Sequence, residues 1–112
     1  MVTSLKVAGI QMTCRLGNVE ENLEKACHMI EDAAAKGAKL ICLPEMFNTG
    51  YFSRGGHVHP SYWDLTESIE NSKTLTRIGA VAKDHGLYVV TRPWGKPPAL
   101  PGDSQSLTFS GI

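Results

Sequence analysis

The sequence predicts an α/β fold in which parallel strands and helices alternate in the order βαβαβ. Short apolar runs rich in β-branched residues, each bounded by helix- or strand-breaking residues, are typical of buried strands in a parallel sheet. Between these runs lie two longer segments whose apolar residues recur at helical spacing. With 112 residues, the chain is long enough for one small domain with its own core.

The first strand and the first helix come from the first third of the chain. A strand is predicted over residues 5–12 and a helix from Asn18 to about Lys36. Asn18 is a typical N-cap, and Gly37 stands where a C-terminal cap is expected. The apolar stripe of this helix consists of Leu23, Ala26, Cys27, Ile30, Ala33 and Ala34.

The second strand is predicted over about residues 39–43 and leads into the most informative position of the chain. The unbroken apolar run at residues 40–43 favours a strand that is buried on both faces. Pro44 ends the strand because it has no amide hydrogen to donate. Glu45 then lies at the carboxyl edge of the sheet, where open α/β sheets bind their ligands.

Glu45 has two interpretations on the local pattern. A carboxylate flanked by Met46 and Phe47 at such an edge is suited to accept a proton from a nucleophile. The commoner role of an acid after a strand is electrostatic, because free backbone amides at the start of the next segment stabilise its charge. The local pattern leaves both interpretations open.

The middle of the chain contains a long loop, a second helix and a third strand. Residues 48–62 are rich in Gly, Ser, Asn and His and form a predicted loop beyond the strand end, where binding residues are common. Residues 63–70 fit neither periodicity. A helix is predicted over about residues 71–85, ending at Gly86, and a strand over residues 87–91. The apolar stripe of this helix consists of Leu75, Ile78, Val81 and Ala82.

The last residues differ in character from the rest. Four of the six prolines lie between Pro93 and Pro101, which excludes a helix or a central strand there. We therefore predict a folded part over residues 1–91 and a divergent proline-rich tail over residues 92–112. Three parallel strands are few for a doubly wound sheet, which favours part of a larger fold or a domain that needs a partner surface.

Composition narrows the classes of partner and the cellular compartment. Eleven basic residues balance eleven acidic ones, so no net charge attracts nucleic acid or an anionic membrane. No apolar stretch approaches the roughly 20 residues of a membrane-spanning helix. The three cysteines form no CxxC pair, which favours reduced thiols and a cytoplasmic location over a disulfide framework.

The remaining chemically active side chains have weaker patterns. His57 and His59 are two residues apart, but two ligands without a third make a weak metal site, and a solvated loop is the alternative. Cys27 and Cys42 are predicted to pack as small core hydrophobes. Cys14 follows the first strand, and nothing near it in the sequence marks its thiol as activated.

Several local patterns occur together along the chain: Gln11-Met12 at a strand end, Gly17-Asn18-Val19 with Asn22 at a helix start, Lys36-Gly37-Ala38 at a turn, Leu43-Pro44-Glu45, and HGLYVV near residue 90. Together, over about residues 5–91, they resemble the N-terminal part of the nitrilase-type carbon–nitrogen hydrolases. The resemblance implies an incomplete, N-terminal βαβαβ portion of a four-layer αββα sandwich. It also implies a homo-oligomer.

The same resemblance implies a function. The family hydrolyses non-peptide C–N bonds in small-molecule amides, N-carbamoyl amines or nitriles, through a glutamate, a lysine and a cysteine. Glu45 matches the glutamate, which acts as general base. Phe47 and Tyr51 follow as expected walls of the substrate pocket. No metal and no organic cofactor is implied.

The lysine and cysteine of this triad have no match in the sequence. Cys14, Cys27 and Cys42 do not fit the cysteine motif, and Lys96 does not fit the lysine motif. The resemblance therefore implies a general base without its two partners. The alternative is a truncated, non-catalytic module that pairs with itself or with an intact member of the family.

Overall fold

The computed structural model describes residues 4–51 and 60–93 of the chain. Its elements follow the predicted order. Two short 3₁₀ helices, Pro60–Leu65 and Ile69–Asn71, overlap the segment that fits neither periodicity, and the first of them begins within the predicted loop. Neither α-helix of the described ranges is long and apolar enough to cross a membrane. His57, His59 and residues 94–112 lie outside the described ranges. The strands and α-helices are β1 (Val7–Gly9), α1 (Val19–Ala35), β2 (Leu40–Cys42), α2 (Lys73–His85) and β3 (Tyr88–Val90).

The three strands form one parallel sheet in the order β1-β2-β3. The register aligns Ala8, Ile41 and Val89 in one row across the sheet. Because side chains of neighbouring residues on a strand point to opposite faces, this row lies on one face, and the rows before and after it lie on the other. Ile41 and Val89 are buried, whereas Val7 and Tyr88, in the preceding row, are exposed.

Both α-helices pack on the face that carries Ile41 and Val89. The core contains Leu23 and Ile30 from α1 and Ile78 from α2, each with almost no exposed surface. These residues belong to the apolar stripes predicted from helical spacing. Burying a side chain of this size contributes roughly 1.5–3 kcal/mol, so this layer of contacts stabilises the fold.

Two predictions, for the burial of β2 and for the burial of Cys42, are wrong. β2 was expected to be buried on both faces, but only Ile41 is fully buried, and Leu40 is half-buried. Cys42 was expected in the core and is exposed. The physical reason is that α1 and α2 cover one face of the sheet. Side chains alternate between the two faces along a strand, so Leu40 and Cys42 point away from the helices.

The helix ends follow the local chemistry of the sequence. The Asn18 side chain accepts a hydrogen bond from the Glu21 amide at 3.2 Å and caps α1. The Ser72 hydroxyl accepts one from the Leu75 amide at 2.9 Å, which explains why α2 begins at Lys73 and not at residue 71. At the end of α2, Gly86 adopts the left-handed conformation with φ 63°, which glycine adopts without steric cost.

Candidate active site

The carboxyl ends of β2 and β3 bring two charged side chains together. Glu45 follows β2 by three residues, and Arg92 follows β3 by two. A carboxylate oxygen of Glu45 lies 3.2 Å from a guanidinium nitrogen of Arg92, and the two side chains are 52% and 43% exposed. Glu45 is thus at the predicted edge of the sheet and accessible to other molecules.

Arg92 was not singled out from the sequence. The available signal was its position directly after the third predicted strand, because the carboxyl ends of parallel strands meet at one edge of a sheet. Backbone hydrogen bonds also continue the pairing of β2 and β3 beyond the last residues of these strands. The Leu43 amide donates to the Val90 carbonyl at 2.9 Å, and the Met46 amide donates to the Arg92 carbonyl at 2.8 Å.

The backbone reverses direction immediately after Glu45. Met46 has a φ of 54°, in the left-handed region that non-glycine residues rarely adopt. Such a conformation costs about 1–2 kcal/mol and persists only where the surroundings hold it. Here the Gly50 amide donates to the Met46 carbonyl at 2.9 Å and closes the turn. We call residues 45–50 the Glu45 turn.

The Glu45 turn is tied to the loop before α1 and to α1 itself. The Gly17 amide donates to the Thr49 carbonyl at 2.7 Å. The buried Asn22 side chain donates to the Asn48 carbonyl at 2.9 Å. Asn22 also accepts from the Arg15 amide and donates to the Arg15 carbonyl, both at 2.7 Å. Asn22 therefore fixes the loop and the Glu45 turn at the same point.

Phe47 and Tyr51, the two expected pocket walls, lie in different surroundings. The Phe47 side chain is 0% exposed and packs in the hydrophobic core. Tyr51 is 59% exposed at the surface. Within the described ranges, Phe47 anchors the Glu45 turn in the core. The roles of Phe47 and Tyr51 as pocket walls stay predictions.

Two of the three cysteines, Cys14 and Cys27, do not have the surroundings of an activated nucleophile. Burial raises the pKa of the Cys14 thiol, and Lys25 opposes this only in part. Burial likewise raises the pKa of the Cys27 thiol. A thiolate is the reactive form of cysteine, so both residues are poorly suited to nucleophilic attack near neutral pH. Within residues 4–51 and 60–93, no group of three or more His, Cys, Asp or Glu side chains is placed to hold a metal ion.

A cavity of about 610 Å³ lies beside β1, away from Glu45 and Arg92. It is open to solvent between the outer edge of the sheet and α1. Because neither Glu45 nor Arg92 lines it, this cavity is not part of the candidate active site. Its lining consists of Lys6, Val7, Ala8, Gly9, Ile10, Gln11, Met29, Asp32, Ala33, Lys36 and Ala38.

Three known proteins show which enzymes the chain is similar to. It is 34% identical over 86 residues to a nitrilase of Pyrococcus abyssi, covering 77% of this chain and 32% of the relative. It is 41% identical over 70 residues to an omega-amidase of Xenopus tropicalis, covering 62% and 23%. The solved amidase from Nesterenkonia sp. superimposes with a TM-score of 0.63 at 27% identity, covering 80% and 32%. A double variant of that amidase was solved in complex with acrylamide.

These similarities confirm the predicted nitrilase-type α/β fold and its N-terminal region. The chain spans about a third or less of the length of the relatives it matches. A sequence model of the carbon–nitrogen hydrolase family matches residues 6–105, which extends past residue 91 into the proline-rich segment. Because this match covers most of the sequence and agrees with the fold, the chain belongs to the carbon–nitrogen hydrolase family.

Proposed function

We propose that this chain supplies the general base, Glu45, of a hydrolase that cleaves non-peptide C–N bonds in small-molecule amides, N-carbamoyl amines or nitriles. The observation that carries the proposal is the position of Glu45, which is half-exposed at the carboxyl edge of a parallel sheet and sits on a turn held from several sides. The relatives named nitrilase, omega-amidase and amidase, one of them holding acrylamide, support this class of substrate.

The chemistry follows from the family triad. For an amide, Glu45 takes the proton of a cysteine thiol, and the thiolate attacks the carbonyl carbon. A lysine stabilises the negative charge that develops on the carbonyl oxygen. The C–N bond then breaks, the amine leaves with a proton, and water hydrolyses the acyl-enzyme to the acid and the free thiol. The lysine and the cysteine would come from a complete family domain, since no residue of this sequence matches them.

Arg92 suits a general base that must be both oriented and available. Its guanidinium lies 3.2 Å from the Glu45 carboxylate in an exposed ion pair and favours one position of that carboxylate. Such a pair contributes only about 0–1 kcal/mol, so the carboxylate can turn toward a thiol at little cost. We therefore propose that Arg92 positions Glu45 in the resting state without blocking it.

The test uses the protein isolated from its own cells, whose intact mass is measured first to define the natural chain. Glu45→Gln in that form should lower ammonia release from an amide panel by about 100-fold or more, because general base catalysis is lost. Glu24→Gln, on the exposed side of α1, is the matched control and should leave turnover unchanged. Full activity of a folded Glu45→Gln protein would contradict the proposal.

A second candidate function, self-association as a non-catalytic module, is favoured by the open face of the sheet. Val7 and Tyr88 lie in one row of that face and are 60% and 49% exposed. Exposed apolar patches of this kind mark interaction surfaces. Light scattering coupled to size-exclusion chromatography should then show a dimer or larger assembly that Tyr88→Ser weakens. A well-folded monomer at all concentrations would count against this function.

A further inference from the structure

A buried polar network joins the Glu45 turn to the first turn of α2. Asn48 in the turn and Thr74 in the helix have no exposed surface, and Ser72, the N-cap of α2, is nearly as buried. Buried polar groups destabilise a fold unless each has a hydrogen-bond partner. Glu67, in the segment between the two 3₁₀ helices, is the partner that these three residues share.

The Glu67 carboxylate accepts four hydrogen bonds. One oxygen accepts from the Thr74 amide at 2.9 Å and from the Ser72 hydroxyl at 3.2 Å. The other accepts from the Asn48 side-chain amide at 3.2 Å and from the Thr74 hydroxyl. Four donors fill the capacity of a carboxylate, and bonds to an ionised acceptor are stronger than neutral ones. The positive end of the α2 dipole adds to their stability.

The bond to Asn48 distinguishes this arrangement from an ordinary helix cap. Ser72 already caps α2 through the Leu75 amide. A second cap for the helix would need only the hydrogen bond that the Thr74 amide donates to Glu67. Glu67 also reaches Asn48, which lies three residues after Glu45 and belongs to another part of the fold. Glu67 therefore connects the helix to the Glu45 turn.

Asn48 is held from two directions. Its side chain donates to Glu67 at 3.2 Å and to the Thr74 hydroxyl at 3.4 Å, and its carbonyl accepts from the Asn22 side chain of α1 at 2.9 Å. The turn between Glu45 and Asn48 contains the left-handed backbone of Met46, which needs such restraints to persist. The bond to Glu67 is the shorter of the two that tie the Asn48 side chain to its neighbours around α2, so its loss would weaken this restraint and let Glu45 move relative to its neighbours.

We propose that Glu67 is a positioning residue for Glu45, which it holds in place by anchoring Asn48 to the first turn of α2. The anchoring is a property of the fold, whereas its consequence for catalysis rests on the proposed function of Glu45. Glu67 does not need to touch the substrate for this role.

The test is amide hydrogen exchange, read residue by residue by NMR on the 112-residue chain. Glu67→Gln replaces one acceptor oxygen with an amide group that donates. The partners of Glu67 on Asn48, Ser72 and Thr74 are donors too, so hydrogen bonds to this side chain are lost. The substitution should therefore speed exchange at the Gly50 and Gly17 amides by at least about tenfold. The buried strand amides at Ile41 and Val89 should change much less. Acceleration confined to the first turn of α2 would mean that Glu67 is only a helix cap, and would overturn the proposal.

Two matched variants separate the helix from the turn. Ser72→Ala removes the cap of α2 and one of the four bonds to Glu67, and keeps the bond between Glu67 and Asn48. It should speed exchange at Leu75 and leave Gly50 unchanged. Glu70→Gln makes the same charge change on an exposed neighbour and should alter neither. If Ser72→Ala loosens Gly50 as much as Glu67→Gln does, the connection runs through the helix cap and the proposal fails.

A further variant covers the case in which Glu67→Gln does not fold. Asn48→Ala removes the donor in the turn, with its bonds to Glu67 and to the Thr74 hydroxyl, and leaves Glu67 bonded to Ser72 and Thr74. It should speed exchange at Gly50 as Glu67→Gln does, and wild-type exchange there would contradict the proposal. In the natural active form, Glu67→Gln should lower kcat and leave KM nearly unchanged. The exchange results hold even if Glu45 proves not to be the catalytic base, so the two proposals fail separately.

Discussion

Thr91 buries a hydroxyl group beside the candidate active site. The residue is 1% exposed at the carboxyl end of β3, directly before Arg92. Among the described residues its hydroxyl oxygen has no hydrogen-bond partner. An unsatisfied buried polar group costs about 1–3 kcal/mol, so at the scale of single residues this edge of the sheet is less stable than it could be.

Thr91→Val should raise the free energy of unfolding by about 1 kcal/mol, because valine has nearly the same shape and no hydroxyl to leave unpaired. Urea denaturation measures this change. Thr74→Val is the contrasting variant. The Thr74 hydroxyl donates a hydrogen bond to Glu67, so its replacement by valine should destabilise the protein. Destabilisation by Thr91→Val would show that the Thr91 hydroxyl has a partner in solution.

At the scale of whole elements, charged side chains connect the outer surfaces of α1 and α2. Glu20, in the first turn of α1, pairs with Lys73 and with Arg77, the latter at 3.0 Å. The hydrogen bond from Lys73, followed by the charges of both partners, holds the pKa of Glu20 below its ordinary value. A lowered carboxylate pKa stabilises the folded state above the ordinary pKa, and this stabilisation is lost as the pH falls through the lowered value.

Glu20→Gln should therefore lower the melting temperature slightly at neutral pH and low salt. The difference from the wild type should shrink as the pH falls through the lowered pKa of Glu20, and it should disappear in more acidic solution, where the carboxylate is protonated in both states. It should also shrink at about 1 M salt, because the pair is exposed and therefore screened. Thermal unfolding across this pH range provides the measurement, with Glu24→Gln as control. A difference that persists in acid would mean that Glu20 acts through packing and not through charge.

On the scale of the whole molecule, residues 4–51 and 60–93 cover one face of the sheet and leave the other exposed. Adjacent residues of β2 show this directly, since Ile41 is fully buried beneath the helices and Leu40 lies half-buried on the other face. A two-layer arrangement of this kind leaves apolar strand residues at the surface. The rest of a complete family domain, or a second copy of the chain, would change the environment of Leu40 but not that of Ile41.

Ile41→Ala and Leu40→Ala test this asymmetry as a matched pair. Ile41→Ala should destabilise the protein by about 2–5 kcal/mol, because it opens a cavity in the core. Leu40→Ala should cost much less in the 112-residue chain, since its side chain is already half in solvent. Denaturant unfolding of both variants gives the comparison. Equal losses would reveal that the open face is covered in solution.

Several features could be predicted because their signals are local. The apolar stripe of α1, the Asn18 cap and the glycine that ends α2 each depend on residues within one or two turns of each other. Glu45 could be placed at the sheet edge because Pro44 ends the ladder. The strands are shorter than their apolar runs, because the regular ladder of all three strands comprises three rows of paired residues.

Other features depended on contacts between distant parts of the chain. Cys42 and Phe47 are both apolar in character, and which of them is buried follows from where the helices pack. The pairs Glu45–Arg92 and Asn48–Glu67 join residues that no period or cap relates to each other.

The sequence by itself therefore determined the order of the elements, their apolar faces and the family to which the chain is similar, because these follow from short-range periodicity and from motifs. Only the tertiary structure decided which face of the sheet is covered, which charge meets Glu45 and which carboxylate anchors its turn. Burial and ion pairing depend on what lies opposite in space, and the packing of α1 and α2 on a single face of the sheet sets that arrangement.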